Sequence, residues 1–367
     1  MHRIALALAL SLLSGWASAD IVIGQTTSFS GPNGPAHKEA TDAAKAYFER
    51  VNAAGGINGQ MLQLVTLDDN NNPKLAEANA KKLISENQAV TLFLTGGTEV
   101  SHSLQPLLNQ AHVPLVAPQS GAMVLNQPVD PWVFNVRAPY QREAEKAVLH
   151  LAHMGVSRIG VAEVDDLFGN DAAIGALQGF DKAHLRAAFV LKFKPNKIDY
   201  IQISNGVAKL DLQALVVIGP AEMVARSVKE LRIRGLKATV VTMSNNASPQ
   251  FTKLAGEYGR GMIVGQAMPD ERMLSVPMVK EALDTMSAKG VGELTPAMLE
   301  GFAGAKVVVE ALRKAGNNPN PAKLRDALNG LQHLNLGGYE VSFSPKSHTG
   351  TEYIDIAIVG PEGKFQR

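Results

Sequence analysis

Two hydrophobic periods take turns along the chain. Short apolar runs of strand length are each followed by a longer stretch with apolar residues at i, i+3, i+4 and i+7, the spacing of one helical face. Ile21–Gly24 is the first run. The turn Ser30-Gly31-Pro32-Asn33-Gly34-Pro35 follows, and then Ala40, Ala43, Ala44, Tyr47, Phe48 and Val51 line one face of a predicted helix. Gly55-Gly56 stops that helix, and Asn58-Gly59 turns the chain into a strand over Met61–Leu67. The pattern then predicts helices over Lys74–Glu86, Ser101–Ala111 and Arg142–Met154. Further strands are predicted over Val90–Leu94, Val113–Val116, Trp132–Arg137, Arg158–Val164, Ala188–Phe193, Leu215–Ile218, Thr239–Val241 and Met262–Gln266.

After Gln266 the rhythm changes. Pro277–Ser287, Pro296–Ala315 and Pro321–Leu331 read as helices with proline in the first turn. Val341–Phe343 and Thr351–Val359 read as closing strands, the second half-buried through Tyr353, Ile354, Ile356 and Ile358. Strand–helix alternation implies an α/β class with parallel sheets covered by helices. So many strands exceed one doubly wound sheet, so two lobes are expected. No long linker parts them, which favours hinge motion.

Composition adds a location and removes several chemistries. Met1–Ala19 has a short positive start, an apolar run from Ile4 to Leu13 and the small residues Ala17-Ser18-Ala19, which predicts an export signal cleaved after Ala19. Its apolar run is too short to span a bilayer. Arg3 is its one strong charge, so 35 Lys+Arg become 34 against 34 Asp+Glu in the mature chain. That neutrality argues against a nucleic-acid partner held by bulk charge. Cysteine is absent, so stability rests on core burial and there is no cysteine nucleophile or lipid anchor. There is no P-loop, no H-E-x-x-H and no G-x-S-x-G, and no cofactor is expected. His150 and His153 lack a third metal ligand. Asp68-Asp69-Asn70-Asn71-Asn72 fails as a calcium loop, with Pro73 and Asn79 where glycine and glutamate are needed. It reads as a strand end leading into a helix.

Two loops carry candidate chemistry. Gly96-Gly97-Thr98-Glu99-Val100-Ser101 and Ala117-Pro118-Gln119-Ser120-Gly121-Ala122 each follow a strand, where open α/β sheets bind ligands. A helix N-terminus there favours an anion, with Thr98 or Ser120 adding a hydroxyl. Plain helix capping explains the same residue types equally well.

The chain resembles the substrate-binding components of branched-chain amino-acid-type ABC transporters. The likeness lies in Ile21–Gly24, Phe29–Pro32, Val51-Asn52-Ala53-Ala54-Gly55-Gly56-Ile57-Asn58-Gly59, Asp68-Asp69, Val113–Pro118, Phe134–Arg137 and Phe168-Gly169. The Asn52–Gly59 run is its most specific part. The resemblance implies a type I periplasmic binding fold, with two doubly wound Rossmann-like lobes, three hinge crossovers and a ligand cleft between them. It places the first lobe at 20–138 plus 267–343 and the second at 139–266 plus 344–367, with crossovers near Arg137–Pro139, Gln266–Pro269 and Phe343–Ser347.

It also implies that Gly97, Thr98, Gln119, Ser120 and Gly121 grip a ligand carboxylate from the first lobe. Tyr140, Phe168 and Asn245 would face them from the crossover and the second lobe. Arg137 is expected as a hinge residue paired with a carboxylate, and Trp132 as core. The family's acid for a ligand ammonium has no counterpart in Thr242–Asn246. Plain carboxylates, aromatic acids or amides therefore stand beside amino acids as ligands, unless Asp165, Asp166 or Glu222 replaces the acid. The implied role is a monomeric periplasmic receptor, not an enzyme, that hands a small ligand to an inner-membrane ABC permease. A sensor reporting to a membrane receptor is the alternative, and an exported enzyme a minor one.

Overall fold

The computed structural model describes residues 20–31 and 33–367; the expected export segment lies outside them. β1 (Ile21–Thr27), α1 (Gly34–Ala53), β2 (Leu62–Asp68), α2 (Pro73–Ser85), β3 (Thr91–Phe93), α3 (Thr98–Ala111), β4 (Leu115–Val116) and β5 (Val133–Phe134) build the first lobe. Its sheet is parallel in the order β2-β1-β3-β4-β5. The chain then runs through α4 (Tyr140–His153), β6 (Ile159–Val164), α5 (Leu167–Lys182), β7 (Val190–Phe193), α6 (Tyr200–Lys209), β8 (Ala214–Ile218), α7 (Ala221–Ile233), β9 (Thr239–Thr242), α8 (Pro249–Ala255) and β10 (Ile263–Gln266). Read from its other edge, the second sheet runs β7-β6-β8-β9-β10, the order of the first lobe repeated. Each order reverses beside its first strand, and open α/β sheets bind ligands at such switch points.

α9 (Pro277–Ser287), α10 (Pro296–Ala315) and α11 (Pro321–Asn329) return to the first lobe. α10 lies against α1, with Tyr47 and Phe302 edge to face at 4.9 Å. β11 (Leu334–Asn335) and β12 (Glu340–Val341) form a separate hairpin rather than the closing strand expected over Val341–Phe343. β13 (Asp355–Val359) and β14 (Phe365–Gln366) extend the second sheet antiparallel beside β10.

Two expectations are corrected here. In β13 the residues facing the core are Ala357 and Val359, while Ile358 is exposed. Ile356, of the opposite face, packs only partly against the core, so β13 is covered chiefly through its smaller residues. The third crossover also falls later than 343/344. Asn135 pairs with Thr349, and His348 holds the carbonyls of Asp130 and Val133, so the chain stays on the first lobe to Gly350. Tyr339 gathers the crossovers: its hydroxyl donates to Val136 O at 2.9 Å and Ala267 O at 3.4 Å, and its ring meets Tyr353. Among the described residues no helix is long and apolar enough to cross a membrane.

Candidate functional site

The strand ends of both sheets meet at a cleft of ≈ 260 Å³, the scale of a small metabolite rather than of a large cofactor. Nearly every lining segment follows a strand: His37 after β1, Gly97-Thr98-Glu99 after β3, Gln119 after β4 and Arg137 with Tyr140 after β5. Asp166 and Phe168 follow β6, Pro220 follows β8, and Ser244-Asn245 follow β9. The exception is Glu300, which enters from α10.

Gly97, with φ 80°, stands at the N-cap of α3 and offers no side chain, so the first amides of that helix have no side-chain cap. Pro139 before α4 and Pro220 before α7 likewise supply no cap. Helix N-termini therefore bring partial positive charge to the cleft from both lobes. Thr98 Oγ1 lies 2.8 Å from Ser120 Oγ, which also accepts from Ala122 N. Ser120 can thus give its one proton to Thr98 and leave the Thr98 proton for the cleft. The Gln119 side chain is 8 % exposed and its Oε1 is buried without a hydrogen-bond partner.

Gly97, Thr98, Gln119, Tyr140, Phe168 and Asn245, which the sequence named as ligand contacts, all line the cleft. Ser120 and Gly121 do not, and this corrects their expected role as contacts. Ser120 is fully buried behind Thr98. At Gly121 a Cβ would stand 2.7 Å from Ala138 O and 2.8 Å from Tyr140 N, so glycine is needed for the loop to pass the crossover. Asp165 and Glu222 lie outside the lining and pair with Lys192 and Arg226. Asp166 does line it, but as the cap of α5 its carboxylate accepts from Gly169 N at 2.8 Å. Burial, with Glu99 and Asp165 adding to it, pushes Asp166 up to about 6.

Arg137 is the electrostatic centre. It donates to Glu143 at 2.7 Å and to Ser244 Oγ, while Glu300 Oε1 stands 3.6 Å from its other terminal nitrogen. Burial opposes the charge on Arg137, yet the Glu300 and Glu143 carboxylates outweigh it and hold the guanidinium pKa above its ordinary value. The sequence placed Arg137 at a hinge beside a carboxylate; the fold gives it two. Its guanidinium lies 4.6 Å over the Tyr140 ring, which meets Phe168 edge to face at 4.8 Å. Burial pushes the Tyr140 phenol up to about 12, so it stays neutral. His37 Nδ1 donates to Ser28 O, and burial lowers the ring pKa, so the imidazole is neutral with its Nε2 lone pair free to accept.

Among the cleft residues that escaped the sequence reading, His37 and Glu300 bring titratable side chains. His37 sits in the first turn of α1 and carries no motif. Glu300 had a signal: it is the one charged residue in the run Pro296-Ala297-Met298-Leu299-Glu300-Gly301-Phe302-Ala303-Gly304-Ala305.

Two hydrogen bonds cross the mouth between lobes. Leu167 N, at the start of α5, donates to Glu99 Oε1 at 3.2 Å, and Gln250 donates to Glu39 at 2.8 Å. Among the described residues no cluster of His, Asp and Glu could hold a metal ion.

Comparison with known proteins agrees with this geometry. The family described as "Periplasmic binding protein" matches residues 20–364. An amino acid binding protein of Pseudomonas aeruginosa is 23% identical over 332 residues, covering 88% of this chain and 87% of that one. The Leu/Ile/Val-binding protein of Escherichia coli K12 is 22% identical over 274 residues, covering 74% and 73%. The crystal structure of a substrate-binding periplasmic protein from Ralstonia solanacearum superposes with a TM-score of 0.83 at 29% identity, covering 94% and 99%. The chain belongs to the periplasmic binding protein family, with the type I fold, a family of ligand-binding receptors and not of enzymes.

Proposed function

We propose that this chain is the periplasmic receptor of an ABC importer, closing its lobes on a small carboxylate-bearing ligand and delivering it to an inner-membrane permease. The reading includes export through residues 1–19 and action as a monomer. The observation that carries it is the N-terminus of α3, without a side-chain cap, beside the Thr98 hydroxyl in an inter-lobe cleft. Free backbone amides, the Thr98 hydroxyl and the Gln119 Nε2 amide form a first-lobe seat for a carboxylate, with Gly97 giving backbone access. Tyr140, Phe168 and Asn245 close over the rest of the ligand, and Ser120 and Gly121 hold the seat from behind. The names of the Pseudomonas and E. coli relatives point the same way, toward amino acids.

The test is a thermal-shift screen of refolded, ligand-stripped mature protein against amino acids, carboxylates and amides, followed by small-angle scattering. A ligand at about 100 times its Kd adds about 2.7 kcal/mol. The expected result is a raised midpoint for a chemically narrow set, with a smaller radius of gyration. A midpoint raised by no carboxylate-bearing compound, or raised without compaction, overturns the reading.

A further inference from the structure

We propose that the receptor's ligand is longer than the cleft: its carboxylate head sits between the lobes, and a narrow, uncharged aliphatic tail runs on into a second chamber beside α7 and α8. This rests on the receptor reading above and adds a tail-binding site to it.

The argument begins with space. The cleft of ≈ 260 Å³ lies below the range of roughly 300–1,000 Å³ usual for ligand sites. A chamber of ≈ 350 Å³ adjoins it, and Asn33, Ala36, Asn245 and Ser248 line both. With the chamber included, the space falls inside that range. The junction holds short side chains, Ala36 and Ser248 among them, and so calls for a narrow ligand at that point.

Chemistry then selects the tail. The charged residues of the chamber, Glu222 and Arg226, pair with each other at 3.3 Å, and Arg226 also lies 4.4 Å from the centre of the Tyr200 ring. Gln250 donates to Glu39 at 2.8 Å, and Ser248 Oγ caps α8 by accepting from Phe251 N. Asn245 donates to Gly219 O at 3.2 Å. Its Oδ1 is buried without a partner, but Asn245 also lines the cleft, so that acceptor serves the ligand's head. What the chamber still offers is carbon, from Pro35, Ala36, Ala221, Phe251 and Leu254. Leu254 is 55 % exposed, an apolar side chain that a tail would take out of water. A charged tail finds both charges already matched, whereas an aliphatic one strands no polar group.

The chamber belongs to both lobes. Pro35 and Ala36 lie at the start of α1 on the first, while Ala221 opens α7 and Phe251 and Leu254 lie on α8 of the second. Gln250, in the same lining, makes one of the two bonds across the mouth. A tail held there touches both lobes and therefore favours the closed form, as the head does.

The experiment is isothermal titration of the ligand-stripped mature chain with two series that differ in length: butanoate, hexanoate, octanoate and decanoate, and the straight-chain 2-amino acids of the same lengths. A fully buried methylene is worth about fourfold in affinity. With partial burial, the decanoate-length member should bind at least about tenfold tighter than the hexanoate-length one, in whichever series binds. Ala221→Leu fills the chamber at a position outside the cleft lining. It should remove that gain and leave the butanoate-length member bound as in the wild type. Leu254→Gln, at an exposed position, should cut the gain by about half, and it carries the test if Ala221→Leu fails to fold. Affinity that is flat or falls beyond hexanoate length overturns the tail site and leaves the receptor standing, as does a gain that survives in every variant that folds. Binding by no member of either series overturns the tail site, and the thermal-shift panel above then decides the receptor reading separately.

Discussion

The first lobe brings the Thr98 hydroxyl, a glycine turn, Gln119 and three charged side chains, Glu99, Arg137 and Glu300, to the cleft, whereas the second brings Tyr140, Phe168, two prolines, Ser244, Ser248, Asn245 and one charge, Asp166. The two lobes share one strand order, so the difference is one of side chains and loops, not of topology. In the first lobe the polar groups fix one another: Thr98 on Ser120, and Thr95 on Ser101 at 2.8 Å. That half is built before any ligand arrives. The contributions of the second lobe depend on closure, as the reach of Leu167 N to Glu99 shows. A preformed seat on one side and a closing wall on the other is what a receptor needs if the ligand is to bias an open–closed equilibrium.

The largest effect should come from the residue that ties the two halves. Arg137→Met leaves Glu143 and Glu300 facing each other without a cation. It should cost about 3–5 kcal/mol of stability, the range for an orphaned buried charge. Urea melts of the two proteins would show it, and an unchanged midpoint would mean that the ion pairs contribute nothing.

The preformed half can be probed more finely. Thr98→Ala should weaken binding of a carboxylate ligand by about 1–3 kcal/mol. Ser120→Ala acts only through Thr98, so the double variant should lose little beyond Thr98→Ala alone. A double-mutant cycle measures this directly. Additive losses would place Ser120 against the ligand after all.

The smallest expected effect lies on the closing side. Asp166 is raised from 3.8 to about 6. A folded-state pKa above the unfolded one means that the folded chain binds more protons between those values. The Asp166 contribution to stability therefore falls as pH rises from 3.8 through about 6. Asp166→Asn keeps the cap and removes the titration, so its midpoint should gain on the wild type more at pH 7 than at pH 4. Parallel pH profiles would show that the neighbouring Glu99 and the burial have no such consequence.

Some of the molecule could be read from residue types alone, because local chemistry decided it. Asn72 accepts from Lys74 N and Leu75 N to start α2, which settles the Asp68–Asn72 loop as a strand end and helix cap. The most family-specific run, Asn52–Gly59, proves structural. Asn52 bonds both backbone groups of Leu62, and a Cβ at Gly56 would stand 2.1 Å from Gln60 O. Resemblance there reported the fold and not the ligand. The first-lobe loops were legible because turns and helix starts leave a residue signature.

The sequence by itself determined the alternation of strands and helices, the two-lobe class and the loops after β3 and β4, since each depends on periodicity or turn chemistry within a few residues. Only the tertiary structure decided which side of those loops meets the cleft. It put Ser120 behind Thr98, turned β13 to bury Ala357 and set the third crossover past Gly350. It also brought Glu300 to within 3.6 Å of Arg137, 163 positions earlier in the chain. Charge balance in a closed cleft is a property of groups that no local pattern joins, and it exists only once helices from distant parts of the chain have packed.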